Sequence, residues 1–203
     1  MVGTGREPGT EHRESTRDRL VEATADLLWE RGYGGVSPKA IQLRAGAGQG
    51  SMYHHFRGKR DLAVAALEQA ARTSQEGAAV FLNGQEPPLD RLIAYLTRPR
   101  DALKGCRIGR MTQDPDVLQD PELREPIAGV FTWLLGELTC LIEQAQRSGD
   151  LDPGLDPADT AATLSAVLQG AHVLARAADD PEPFDRALRG SLALLALAER
   201  PPS

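Results

Sequence analysis

From Leu20 onward, apolar side chains return every three or four positions along most of the chain. Leu20, Ala23, Leu27 and Leu28 follow the i, i+3, i+7, i+8 pattern of one helix face. Ser15 or Thr16 can cap its start, and Asp18 completes a capping box if Ser15 is the cap. Gly32 and the pair Gly34-Gly35 end it, so the spacing predicts a first helix over 16–31. Ser37-Pro38 is a second start: the hydroxyl caps, and proline at the first helical position lacks only an N–H that had no partner. Ala40, Ile41 and Ala45 make a short helix stopped by Gly46 and Gly48. A further short segment runs from Gln49 to Phe56, and Lys59 opens a long helix through Leu62, Ala66, Leu67 and Ala70 to Phe81.

After the Asn83–Pro88 break, Leu89, Leu92, Ile93 and Leu96 form one stripe. Residues 98–121 read as irregular, with one short helix around Ile108–Gln113. Asp120-Pro121 begins a helix whose stripe from Ile127 to Ala145 holds until Gly149, and Asp156-Pro157 begins another over 157–178. A last helix is predicted over 183–198. The fold class is all-α, with nine helices, no sheet and no tandem repeat. The expected division is a flexible tail over 1–13, a three-helix unit over 14–62 and a helical body over 63–203.

Composition changes this picture little. A chain of 203 residues with 41% apolar and 26% charged residues has an ordinary globular makeup. No run approaches the roughly 18 apolar residues of a membrane span, and no signal peptide is legible. The expected setting is therefore the cytoplasm, with no membrane partner. Cys106 and Cys140, the only cysteines, build neither a disulfide framework nor a zinc site. No nucleophile elbow, P-loop, dinucleotide fingerprint or HExxH motif occurs, so no enzyme, metal or cofactor is expected.

Charge changes it more. The net charge is −6, yet residues 1–60 hold ten Lys/Arg against seven Asp/Glu. Local sign governs what a face attracts, so a nucleic-acid partner remains allowed at the front end.

The segment Ser37–Leu62 carries the chemistry. Two short helices joined by Ala45-Gly46-Ala47-Gly48 form a helix-turn-helix, whose second helix can enter a major groove. The phenol of Tyr53 and the imidazoles of His54 and His55 can donate to phosphate oxygens, and Lys59 stands at a helix N-terminus, another anion-binding arrangement. Base reading would fall to Gln49, Ser51 and Lys39. Blander roles stand beside these. His54 and His55 can serve structural hydrogen bonds, but adjacent helical side chains diverge by about 100°, which disfavours metal. Tyr53 can plug the three-helix core, Lys59 can be a solvated helix-start charge, and Phe56 reads as core.

This segment resembles the N-terminal domain of TetR-family transcriptional repressors. The likeness covers 16–65 and rests on Ser37, Ile41, Ala45, Gly46, Ser51, Tyr53, His54, His55, Phe56, Lys59 and Leu62. It departs at Ala47-Gly48, where the family usually has Val-Ser or Val-Thr, so the N-cap hydroxyl is missing and a phosphate or water would satisfy those N–H groups. The stretch from Gly105 to Gly109 is similar to a segment in the branch related to lincomycin- and flavonoid-responsive repressors. The DNA-contacting set implied is Thr16, Ser37, Lys39, Gly48, Gln49, Ser51, Tyr53, His54, His55 and Lys59.

The resemblance further implies a homodimer on an inverted-repeat operator in double-stranded DNA, released by an unidentified small-molecule effector. The last two helices would pair across the dimer through Gly170, Ala171, Ala193 and Ala196. Cys106, Met111, Gln113, Trp133, Gln169 and His172 are polar or special residues in or near apolar stripes; each is either core or lining of a ligand cavity. With only 4% aromatic residues, that cavity is expected to be walled by Leu, Val and Ala. The acidic surplus would favour a cationic lipophilic ligand, although surface acid explains it equally, and Arg100, Arg107 and Arg110 read as solvated charge. Alternatives are a helical interaction protein or enzyme keeping a helix-turn-helix relic, and an activator or ligand-free regulator.

Overall fold

In a computed structural model of the chain, residues 15–199 are described. The tail expected over 1–13 lies outside them. Among the described residues nine α-helices follow one another: α1 (Thr16–Arg31), α2 (Pro38–Ala45), α3 (Gln49–His55), α4 (Lys59–Leu82), α5 (Pro88–Thr97), α6 (Pro115–Gln119), α7 (Pro121–Ser148), α8 (Pro157–Ala178) and α9 (Glu182–Ala196). A 3-10 turn over Gly109–Gln113 precedes α6. No β-strand forms among the described residues, and a single antiparallel bridge pairs Leu151 with Glu199.

Local chemistry sets most boundaries. Ser15 accepts from the Asp18 N–H at 3.1 Å, and its own hydroxyl donates to the Asp18 carboxylate at 2.6 Å. Ser37 caps α2 by accepting from the Ala40 N–H at 3.2 Å. Asp120 and Asp156 cap α7 and α8, each followed by a proline that starts the helix. The same Asp-Pro signal at Asp114-Pro115 starts α6, in the stretch expected to be irregular. The Asp114 carboxylate also accepts from the Tyr33 N–H at 2.6 Å, tying α6 to the end of α1. Helix α9 starts one residue before the expected position because Asp180 accepts from the Glu182 N–H at 2.9 Å.

Two hydrophobic cores organise the molecule. In the first, Leu20, Leu27 and Leu28 of α1, Ile41 of α2, Met52 of α3 and Leu62 to Ala71 of α4 meet Ile108, Met111, Leu123, Ile127 and Val130. In the second, the far end of α4 (Ala78, Leu82) packs with α5, the far half of α7, α8 and α9. Each leucine fully withdrawn from water contributes about 1.5–3 kcal/mol. α4 and α7 therefore cross both cores.

By length and composition alone α7 is apolar enough to cross a membrane, although it holds no uninterrupted apolar run of that length. Its stripe of Leu134, Leu138, Leu141, Ile142 and Ala145 is instead buried in the second core.

The turn between α2 and α3 depends on Gly46, which caps α2 in the left-handed region at φ 59°, ψ 37°. A Cβ there meets nothing within 4 Å, so substitution strains only the backbone. Gly46→Ala is expected to cost about 1 kcal/mol and lower the melting temperature by roughly 2–4 °C. An unchanged melting curve would contradict the assigned turn.

Candidate nucleic-acid interface and internal cavity

Helix α3 is seven residues long, and its two faces differ sharply. Met52 is fully buried and Phe56, just past the helix, nearly so, whereas Gln49, Gly50, Tyr53, His54 and His55 are exposed. Tyr53 is 49% exposed, so it does not plug the three-helix core; Met52 fills that role because it points inward. The His54 and His55 rings meet edge-on with centroids 5.0 Å apart. Among the described residues no cluster of three or more His, Cys, Asp or Glu could hold a metal. Gly48 caps α3 in extended conformation without a side-chain hydrogen bond. Ser51 is half-buried on the same helix, and Lys39 is exposed in the first turn of α2.

Two expected contacts have protein partners already. The Ser37 hydroxyl is engaged as a helix cap, and Thr16 Oγ1 accepts from Arg19 at 3.2 Å. The Lys59 ammonium lies 4.0 Å from the centroid of the Tyr33 ring, a cation–π contact the sequence reading missed. Arg44 is bidentate to Glu30 at 2.9 and 3.1 Å. Arg60 is bound to Asp120 at 2.5 and 2.8 Å and to Glu122 at 2.9 Å. These bonds raise the Arg60 pKa and hold the Asp120 carboxyl below its ordinary range. Lys39, Arg57 and Lys59 have no carboxylate in ion-pair range among the described residues, so their charge is free to act outward.

The headpiece formed by α1–α3 is fastened to the body by side chains expected to be solvated. Arg107 pairs with Asp26 at 2.8 Å. Arg110 donates to the carbonyls of Trp29 and Glu30, satisfying the end of α1. Within the body itself, Arg100 is half-buried and donates to the carbonyls of Tyr95, Leu96 and Arg98 at the end of α5. All three arginines thus correct the expectation. Carbonyls left over at helix ends and loops need donors, and guanidinium supplies several at once.

A cavity of about 520 Å³ opens where the two cores part along α4 and α7. Thr73, Ser74, Gly77 and Ala78 come from α4, and Val130, Phe131, Trp133 and Leu134 from α7. Trp29, Tyr95, Leu168 and the arginines Arg98, Arg100 and Arg107 complete much of the wall. Four aromatic side chains line it, against the expectation of a Leu, Val and Ala wall; the scarce aromatics are concentrated here. Of the six residues proposed from sequence, Cys106, Trp133, Gln169 and His172 line this cavity. Gln113 lines a neighbouring cavity of about 170 Å³. Met111 does not line either: it is 1% exposed in the first core, where an unbranched apolar side chain fills the gap under α1. Ala171, expected at a dimer seam, is likewise 1% exposed within its own subunit's core, whereas Gly170, Ala193 and Ala196 are exposed.

His172 is buried, with its ring 4.6 Å from that of Phe184. Its Nδ1 lies 3.2 Å from the Ala102 carbonyl oxygen. A carbonyl only accepts, so Nδ1 carries the proton and Nε2 of the neutral ring is bare. Burial pushes the His172 pKa down; the Ala102 bond opposes this, and Arg100 adds to it.

An exposed recognition-type helix, held ahead of a cavity-bearing helical body, defines a DNA-binding regulator. Comparison with known proteins makes the class specific. Residues 20–66 match the family described as bacterial regulatory proteins, tetR family, and residues 88–191 match the tetracyclin repressor-like C-terminal domain. The chain is 28% identical over 190 residues to the transcriptional regulator AcuR of Cereibacter sphaeroides, covering 89% of this chain and 85% of that one. It is 29% identical over 179 residues to the HTH-type transcriptional repressor DhaR of Mycobacterium sp. strain GP1, covering 87% and 90%. A TetR transcriptional regulator crystal structure from Chloroflexus aurantiacus superposes with a TM-score of 0.78 at 28% identity, covering 91% and 96%. The chain belongs to the TetR family of bacterial regulatory proteins: it is a transcriptional regulator, not an enzyme.

The depressed His172 pKa fixes the sign of a stability effect. The unfolded chain takes up this proton more readily, so the contribution is full above the unfolded value of about 6.5 and is lost as pH falls below it. Urea midpoints should therefore drop on acidification more in the parent than in His172→Gln. Equal drops would show that His172 is not held neutral by the fold.

Proposed function

We propose that the protein is a homodimeric repressor whose two α3 helices enter successive major grooves of an inverted-repeat operator, and that a small molecule in the cavity releases it. The DNA-binding unit would be residues 14–62 and the effector and dimer unit residues 63–203. The observation that carries this reading is the sidedness of α3, with Gln49, Tyr53, His54 and His55 exposed beside the uncompensated Lys39, Arg57 and Lys59. Tyr53, the histidines and Lys59 would hold phosphates; Gln49, Ser51 and Lys39 would read base edges. Thr16, Ser37 and Gly48 would add backbone contacts near helix starts. Two-fold pairing would set the recognition helices about 34–36 Å apart, which is why the operator should be palindromic. Working on chromosomal DNA places such a protein in the cytoplasm.

Dimer formation is supported by apolar surface on α8 and α9. Val173 and Leu174 of α8, Leu194 of α9 and Leu197 just past its end are 52%, 55%, 71% and 83% exposed, and Gly170, Ala193 and Ala196 allow close approach beside them. Exposed leucines gathered on two adjacent helices ask for a partner surface. Release needs only that the ligand favour an arrangement with the wrong groove spacing. The narrower likeness to lincomycin- and flavonoid-responsive repressors rests on the Gly105–Gly109 stretch alone.

Duplexes selected by the protein from a random library, titrated at several salt concentrations, test the reading. Two protomers should bind each palindrome, with log K falling by about 0.9 per phosphate neutralised for each tenfold rise in salt. Lys59→Ala should weaken all sequences alike and reduce the salt slope by about 1, while Gln49→Ala should relax preference at one base position. Salt-independent binding, or no selected duplex, would leave a helix-turn-helix that does not bind DNA.

A further inference from the structure

On the effector reading just given, the charge pattern of the cavity wall names the ligand's chemistry. We propose that the cavity takes an organic carboxylate with an apolar body, its anionic head seated on Arg98 and Arg100. The two guanidinium carbons lie 4.7 and 5.2 Å from the Tyr95 ring centroid. Arg100 is pinned by the carbonyls of Tyr95, Leu96 and Arg98 at 2.7–3.1 Å, and Arg98 donates to the Gly77 carbonyl at 2.8 Å. Three carbonyl bonds and the Tyr95 hydroxyl engage four of the five Arg100 N–H groups and leave one for another acceptor. Carbonyls satisfy N–H groups but do not cancel the positive charge. Among the described residues no carboxylate stands in ion-pair range of either arginine, whereas Arg107, on the same wall, has Asp26 at 2.8 Å.

The acids that do reach the wall are Glu22 and Asp101, and both are exposed. Glu22 accepts from Gln69 at 3.0 Å, and Asp101 accepts from the Lys104 N–H at 2.9 Å. Burial, and then the charge of Arg98, push the Arg100 pKa down, the mark of a cation that lacks a counterion. An anion seated on the guanidinium groups that line the wall offsets their positive charge and replaces lost hydration with charge-assisted hydrogen bonds. Away from the arginines, Phe131, Trp133, Leu134 and Leu168 offer apolar surface to the rest of the molecule. The expectation of a cationic ligand from the chain's acidic balance is thereby reversed, because acid at the surface says nothing about the cavity wall.

Calorimetry on the full chain at neutral pH tests this with 4-phenylbutyrate, decanoate and 1-naphthaleneacetate against their primary amides. At least one acid should bind, with its amide weaker by about tenfold or more. Arg98→Gln and Arg100→Gln should each weaken that acid several-fold and leave the amide unchanged. If Arg100→Gln fails to fold, Arg98→Gln and the acid–amide comparison on the parent decide. Amides binding as tightly as their acids, or no acid binding at millimolar concentration, would overturn the carboxylate assignment. Binding of the ligand-free protein to its selected duplex, recorded on the same preparations, belongs to the regulator reading alone and stands or falls independently.

Discussion

Two helices, α4 and α7, each contribute to both hydrophobic cores, and the arrangement of the molecule follows from that shared use. Leu62 to Ala71 of α4 close the core under the helix-turn-helix, while Ala78 and Leu82 of the same helix close the core of the body. Leu123, Ile127 and Val130 of α7 face the first core, and Leu134, Leu138 and Ile142 the second. A rigid helix packed at both ends cannot shift at one without disturbing the other, because close-packed interiors transmit displacement. The cavity opens at the junction, between Ala71 and Ala78 on α4 and between Val130 and Leu134 on α7. Its position is therefore suited to altering the setting of α4, whose first residue, Lys59, lies beside α3.

Polar links reinforce this joint without dominating it. Arg60 reaches from the first turn of α4 to the cap of α7, Arg107 bridges to α1, and Arg110 satisfies the end of α1. Such exposed or half-exposed pairs are screened by water, and each contributes less than one buried leucine. They fix registry between headpiece and body, while the shared core supplies the stability.

Much of the fold was legible in the chain because its signals are local. Cap-then-proline pairs at Ser37, Asp120 and Asp156, and glycines at 32, 46 and 149, state helix ends directly. Asp114-Pro115 carries the same signal, but its helix is only five residues long and shows no apolar stripe of its own. On α3, Gln49 and Phe56 fall on the exposed and buried sides expected, but a helix of seven residues is too short for its periodicity to show that Met52 rather than Tyr53 faces the core. What was not legible depends on distant partners. Arg100 and Arg110 look like surface charge until the carbonyls they satisfy are known, and Met111 and Ala171 look like lining or seam until their neighbours close over them. Tyr33, in a glycine-rich loop, gave no sequence hint that it would meet the ammonium of Lys59.

On the proposed reading, the cavity is the control point of a joint shared by headpiece and body. Ser74 of α4 is half-buried on the cavity wall, so a phenyl ring there can stand in for a bound ligand. The decisive measurement is the affinity for the selected duplex of Ser74→Phe beside Ser74→Ala, with melting temperatures recorded for both. Ser74→Phe is expected to keep or gain thermal stability and to bind the duplex at least several-fold more weakly, while Ser74→Ala should bind like the parent. A folded Ser74→Phe that fills the cavity and binds the duplex like the parent would contradict that reading.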